Sequence, residues 1–231
     1  MIERVSEEAD RYPQLVVFDL DGTLLDNRPR SVAIMHELAA KWETDNPEEA
    51  ELLREADAET LAYLFEDNLR ALGVRDPHLL DEALAFWKDR FFADDFLLHD
   101  QPVDGAVKYA VQCWEAGATL VYFTGRDLPN MALGSLASLR DLGFPIGVPG
   151  TQLVLKPDAQ LGDDEFKRDY MPALRRSGHL VAAFDNEPGN CNIFKSVFPD
   201  VESFLVDTQH LPGAPELRPD IHVIEDLSLS G

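Results

Sequence analysis

The apolar positions along the chain change period twice. "LVVFDL" is short, apolar and β-branched, which predicts a buried strand over residues 15–20. From 27 to 100 the spacing becomes helical. "RSVAIMHELAAKWE", "PEEAELLREADAETLAYLFEDNLRAL" and "PHLLDEALAFWKDRFF" carry apolar residues on one helical face, and no strand pattern interrupts them. Beyond "HDQPVDG" helix and strand alternate. A helix is expected over 103–116, a strand over 119–123, a helix over 129–142 and a strand over 151–156. A helix over 164–176, a strand over 179–184, a helix in "CNIFKSVF" and a strand over 202–207 complete the series. Nearly all-apolar strands alternating with helices imply a parallel sheet covered on both faces. The expected class is α/β, a doubly wound parallel sheet built from 1–26 and 101–231, with an all-helical segment inserted at 27–100.

Composition narrows the setting. No stretch reaches the roughly 18 to 20 apolar residues that span a bilayer, and "MIERVSEEADRYPQ" has no apolar signal-like run. No membrane association is expected. Cys113 and Cys191 are the two cysteines, which suits reduced, buried thiols in a cytoplasmic protein. The formal charge is −23, from 43 acids against 20 bases. A broad nucleic-acid or anionic-membrane surface is excluded by that balance. An anionic substrate must then be drawn in by a local cationic pocket or a metal.

Strand ends of a parallel sheet are where ligands bind, and four of them carry candidate chemistry. Asp19 and Asp21 follow the first strand in "DLDGT". Alternate side chains of an extended chain point the same way, so the two acids converge, and like charges that converge need a cation or a shared proton. Thr124 and Gly125, with Arg126 beside them, follow the second apolar strand, where a hydroxyl and backbone N–H groups make an anion cradle. Arg126 either touches substrate or forms an ion pair. Lys167, in "GDDEFKRDY", is placed in the first turn of a helix that Asp163 or Asp164 would cap; Lys156, at the end of "TQLVLK", is the second candidate lysine. Asp185, in "AFDNEP", ends another buried strand and is a natural ligand for a hard cation. The six histidines show no ligand spacing, and Trp42, Trp87 and Trp114 lie on helical patterns as core residues.

In this order the four pieces resemble the haloacid dehalogenase superfamily, over roughly 12–26 and 101–210. The pattern "GDDEFK" is similar to the lysine motif of that superfamily's polynucleotide-kinase-type phosphatases. The resemblance implies a Rossmann-like α/β core with a helical cap at 27–100, and a phosphohydrolase acting on a small phosphorylated metabolite or nucleotide. It implies Asp19 as nucleophile through an aspartyl-phosphate, Asp21 as acid and base, and Thr124 and Lys167 on the phosphoryl oxygens. Mg²⁺ would lie between Asp19, the Asp21 backbone carbonyl and Asp185. Two acids are common at the last strand end; here Asn186 follows Asp185, leaving one carboxylate fewer or Glu187 in its place. A second acid two residues after the nucleophile favours phosphoester hydrolysis over dehalogenation, since a leaving alcohol needs a proton and a halide does not. A phosphomutase, or a non-catalytic binding protein on the same fold, are the other readings.

Overall fold

The structure is a computed structural model that describes residues 13–228; the N-terminal stretch without a signal-like run lies mostly outside them. Strands β1 (Gln14–Phe18), β4 (Thr119–Asp127), β5 (Thr151–Lys156), β6 (His179–Asp185), β7 (Glu202–Val206) and β8 (His222–Ile224) form one parallel sheet in the order β5-β4-β1-β6-β7-β8. A two-stranded antiparallel ribbon, β2 (Leu25–Asp26) and β3 (Gln101–Pro102), stands apart from it. Alternation along the strands sends side chains to two separate cores. Val16, Phe18, Leu120, Tyr122, Ala182 and Phe184 pack on one face with α5 (Ala106–Glu115) and α6 (Leu128–Asp141). Leu15, Val17, Val121, Phe123 and Ala183 pack on the other, with α7 (Asp163–Tyr170) and α8 (Pro188–Val197). Burial on both faces is why these strands read as continuous apolar runs.

Between β2 and β3 the chain forms α1 (Arg28–Trp42), α2 (Pro47–Arg54), α3 (Phe65–Leu72) and α4 (Pro77–Phe91), with short 3-10 turns at Ala58–Thr60 and Asp94–His99. These helices close over their own core, which includes Met35, Leu38, Trp42, Leu53, Leu69 and Leu80. The segment therefore buries apolar surface independently of the sheet.

Two expectations need correction, and one strand was not expected. Strand β4 does not stop at Phe123; it runs to Asp127 with a register irregularity after Phe123, and the Asp127 carboxylate caps α6 by accepting from Asn130 N at 2.9 Å. Helix α7 ends at Tyr170 and continues as a 3-10 turn, because Pro172 has no N–H for the helical ladder. Strand β8 is a three-residue edge strand, too short and too exposed to produce a pattern. Cys113 and Cys191 are free and buried. Trp42 is buried, whereas Trp114 is half-exposed and donates its indole N–H to Pro149 O. Among the described residues no helix is long and apolar enough to cross a membrane.

Candidate active site

Register brings the candidate residues together. Phe18 on β1 pairs with Tyr122 on β4 and Phe184 on β6, so Asp19, Thr124 and Asp185 emerge at one edge of the sheet. Asp19 N donates to Phe184 O at 2.9 Å, fixing the strand end. Gly22 then turns the chain at φ +76°, a conformation that favours glycine. A Cβ there would lie 2.3 Å from the Asn186 amide. Asn186 is almost fully buried; it accepts from Thr23 Oγ1 at 3.3 Å and donates to Gln209 O. Its role is thus to tie the Asp-Gly-Thr turn to the end of β6.

Lys167 is the hub of the anionic cluster. Its Nζ lies 2.8 Å from Asp19 Oδ1 and 2.6 Å from Asp185 Oδ2, and all three side chains are nearly inaccessible. Burial pushes Asp19 up to about 7 against the pull of the Lys167 charge. Burial acts to lower the Lys167 ammonium, but the carboxylates of Asp185 and Asp19 outweigh it and raise it further. Asp185 Oδ1 accepts from Glu187 N at 2.9 Å and Asn190 Nδ2 at 3.0 Å. Lys167 is the fifth residue of α7, just past the first turn in which it was expected, and Gly162 rather than an aspartate occupies the N-cap. Asp163 pairs instead with Lys156, at 2.7 Å. Lys156 therefore stands apart from Asp19 and does not line the cleft.

Asp21 sits in a second, separate cluster. Arg126 Nε donates to its Oδ2 at 2.7 Å and Arg126 Nη2 to its Oδ1 at 2.9 Å; Arg30 Nη2 reaches Oδ1 at 2.7 Å. Burial alone would raise the Asp21 carboxyl, yet the charges of Arg126 and then Arg30 hold it far below the usual carboxylate range. The same guanidiniums bind Asp100, which is completely buried: Arg30 at 2.8 and 2.7 Å, Arg126 at 2.7 Å. Arg126 thus forms ion pairs rather than offering a free guanidinium to a ligand. Thr124 Oγ1 accepts from Arg126 N at 3.2 Å, and Gly125 is packed so that a Cβ would meet the Asp163 carboxylate at 2.4 Å.

Arg30 and Asp100 were not singled out from the sequence. A signal existed for Arg30, which precedes Ile34 and Leu38 by one and two helical repeats on the buried stripe of α1. A charged residue in such a register needs a buried partner. Asp100 gives no such cue. Glu187 lines the same cleft, and its carboxylate accepts from Leu211 N at 3.0 Å and from the Tyr63 hydroxyl.

These side chains face a cleft of about 1220 Å³ lying between the sheet edge and the helical segment, lined by Asp19, Asp21, Thr124, Gly125, Arg126 and Lys167 below and by Tyr63, Phe65, Trp87 and Phe92 above. Among the described residues no three His, Cys, Asp or Glu side chains stand close enough together to hold a metal ion by themselves.

A family model described as a haloacid dehalogenase-like hydrolase matches residues 13–166, two-thirds of the chain. The chain belongs to the haloacid dehalogenase-like hydrolases. Among solved structures, this hydrolase resembles a candidate phosphatase from Clostridium difficile (TM-score 0.57, 14% identity, covering 87% of this chain and 89% of that one). It also resembles a haloacid dehalogenase-like hydrolase from Burkholderia xenovorans LB400 (TM-score 0.53, 14% identity, 93% of each chain). A third likeness is to Protein Tyrosine Kinase A of Mycobacterium tuberculosis (TM-score 0.52, 19% identity, 96% of this chain and 92% of that one). At these identities the likeness is one of fold. No curated protein matches the sequence significantly.

Proposed function

We propose that this haloacid dehalogenase-like hydrolase is a Mg²⁺-dependent phosphomonoesterase that works through an aspartyl-phosphate on Asp19. The observation that carries the reading is the convergence of Asp19, Lys167 and Asp185 at one buried point beside Thr124. Two carboxylates and a backbone carbonyl are an all-oxygen donor set of the kind that suits Mg²⁺, which takes one or two carboxylates and keeps several waters. Asp19, Asp185 and the Asp21 backbone carbonyl would hold the metal, which when bound offsets the repulsion between these carboxylates and an incoming phosphoryl group.

In this reading Asp19 attacks phosphorus and the bond to the leaving oxygen breaks. Lys167 and Thr124 hold the phosphoryl oxygens as charge redistributes. Water then attacks the aspartyl-phosphate, releasing orthophosphate and regenerating Asp19. Asp21 is ionised between its guanidiniums, and loosening of those ion pairs would give it the basicity to accept a proton from the attacking water. Delivering a proton to the leaving oxygen needs the carboxyl form, which withdrawal of Arg30 on α1 would favour by removing one opposing charge. The helical segment 27–100 is then a cap over the site, and two buried thiols suit a cytoplasmic setting. Of the two lysines, Lys167 is assigned to the phosphoryl group.

The test is orthophosphate release from a panel of phosphomonoesters, with and without Mg²⁺, beside Asp19→Asn. Mg²⁺-dependent turnover lost in the variant supports the proposal; turnover that survives the substitution, or none from any ester, overturns it.

A further inference from the structure

The cleft above Asp19 has two walls of different chemistry. On the helical side, Trp87 stacks on Phe91 (centroids 4.3 Å apart) and on Phe65 (5.0 Å), while Phe92 packs edge-on to both Trp87 and Phe91. Phe92 is nonetheless 47% exposed and Tyr63 is 44% exposed, and both line the cleft. Large apolar side chains left open in a concave surface mark a place for an apolar partner. The cleft's cations are almost all committed: Lys167 to Asp19 and Asp185, Arg126 to Asp21 and Asp100, Arg28 to Asp26. Lys88 is the remaining one among the described residues, while carboxylates outnumber cations along the lining eleven to four. A second anionic group on a ligand would therefore meet repulsion.

We infer that the ligand is a monophosphate whose leaving group carries an uncharged aromatic ring, with the ring lying against the exposed face of Phe92. Nucleoside 5′-monophosphates have this chemistry; sugar phosphates lack the ring, and bisphosphates add charge. The inference rests on the phosphomonoesterase reading, which places the phosphoryl group at Asp19 and Lys167.

The experiment compares adenosine 5′-monophosphate, ribose 5-phosphate and adenosine 3′,5′-bisphosphate at saturating Mg²⁺. The expected kcat/KM for adenosine 5′-monophosphate exceeds that for ribose 5-phosphate roughly tenfold, from one stacked ring. It exceeds that for the bisphosphate by about as much, from charge repulsion. Phe92→Ala, at an exposed position, narrows the first ratio. Equal or reversed ratios, or a ratio unmoved by Phe92→Ala, overturn the inference while leaving the phosphatase standing. If no ester is hydrolysed, calorimetric binding of the same three compounds decides. Tighter binding of the nucleotide supports the ring site and defeats the hydrolase; equal affinities defeat both.

Discussion

Arg30 grips Asp100 with two parallel hydrogen bonds, Nε to Oδ1 at 2.8 Å and Nη2 to Oδ2 at 2.7 Å, and neither side chain is accessible to solvent. The pair links α1 to the chain just before β3, the two places where the helical segment leaves and rejoins the sheet domain. Through Arg126 and Asp21 the grip extends to the reacting end of the sheet. The conformation of the helical segment and the ionisation of Asp21 are therefore physically connected.

Removing Asp100 leaves Arg30 and Arg126 buried with a single shared carboxylate. Asp100→Ala is expected to cost roughly 3–5 kcal/mol, the usual penalty for breaking a buried pair from one side. Urea denaturation measures it. A loss below about 1 kcal/mol would mean that water reaches the guanidiniums and the pair is unimportant.

Lys167→Ala is expected to lower kcat at least a hundredfold, roughly the size of losing one preorganised donor, and Lys156→Ala to change it little. The first leaves Asp19 and Asp185 facing each other without a cation, so its melting temperature should become more sensitive to Mg²⁺ than that of wild type. Equal, mild losses of kcat from both variants would refute the assignment of Lys167.

Burial pushes the Cys113 thiol up to about 12 and raises Cys191 as well. A thiol whose pKa is raised by folding favours the native state fully below its unfolded value near 9, and that contribution fades as pH rises toward 12. Native protein at pH 8 should resist alkylation at both cysteines, and unfolding free energy should decline above pH 9. Rapid alkylation of the folded protein would contradict the burial of these groups.

Gly22 combines φ +76° with a Cβ position 2.3 Å from Asn186. Gly22→Ala is predicted to lose about 1–3 kcal/mol through backbone strain, and to lower activity by displacing Asp21 and Thr23. An Asn186→Ala background relieves the collision but not the dihedral strain, so the double variant should recover part of the loss. Thermal denaturation of the single and double variants separates the two contributions.

The parallel sheet was legible because its strands are covered on both faces and so read as apolar runs with no polar alternation, as in 15–18 and 179–184. The acids at the strand ends were legible for the same reason, since a charge directly after a buried run stands out and needs a partner. Strand β8 gave no signal because an exposed edge strand of three residues has no buried face to enforce a pattern. Lys167 and Lys156 could not be separated by spacing alone: both lie near strand or helix ends, and which one reaches Asp19 depends on how α7 packs across β4. The commitment of Arg126 to Asp21 and Asp100 was equally hidden. Local sequence fixes which backbone a residue sits on through burial and hydrogen bonding within a few positions. The partner of a buried charge sits on another element, 18 positions away for Lys167 and Asp185 and 70 for Arg30 and Asp100, so it is settled when the layers dock and the charges must be neutralised together.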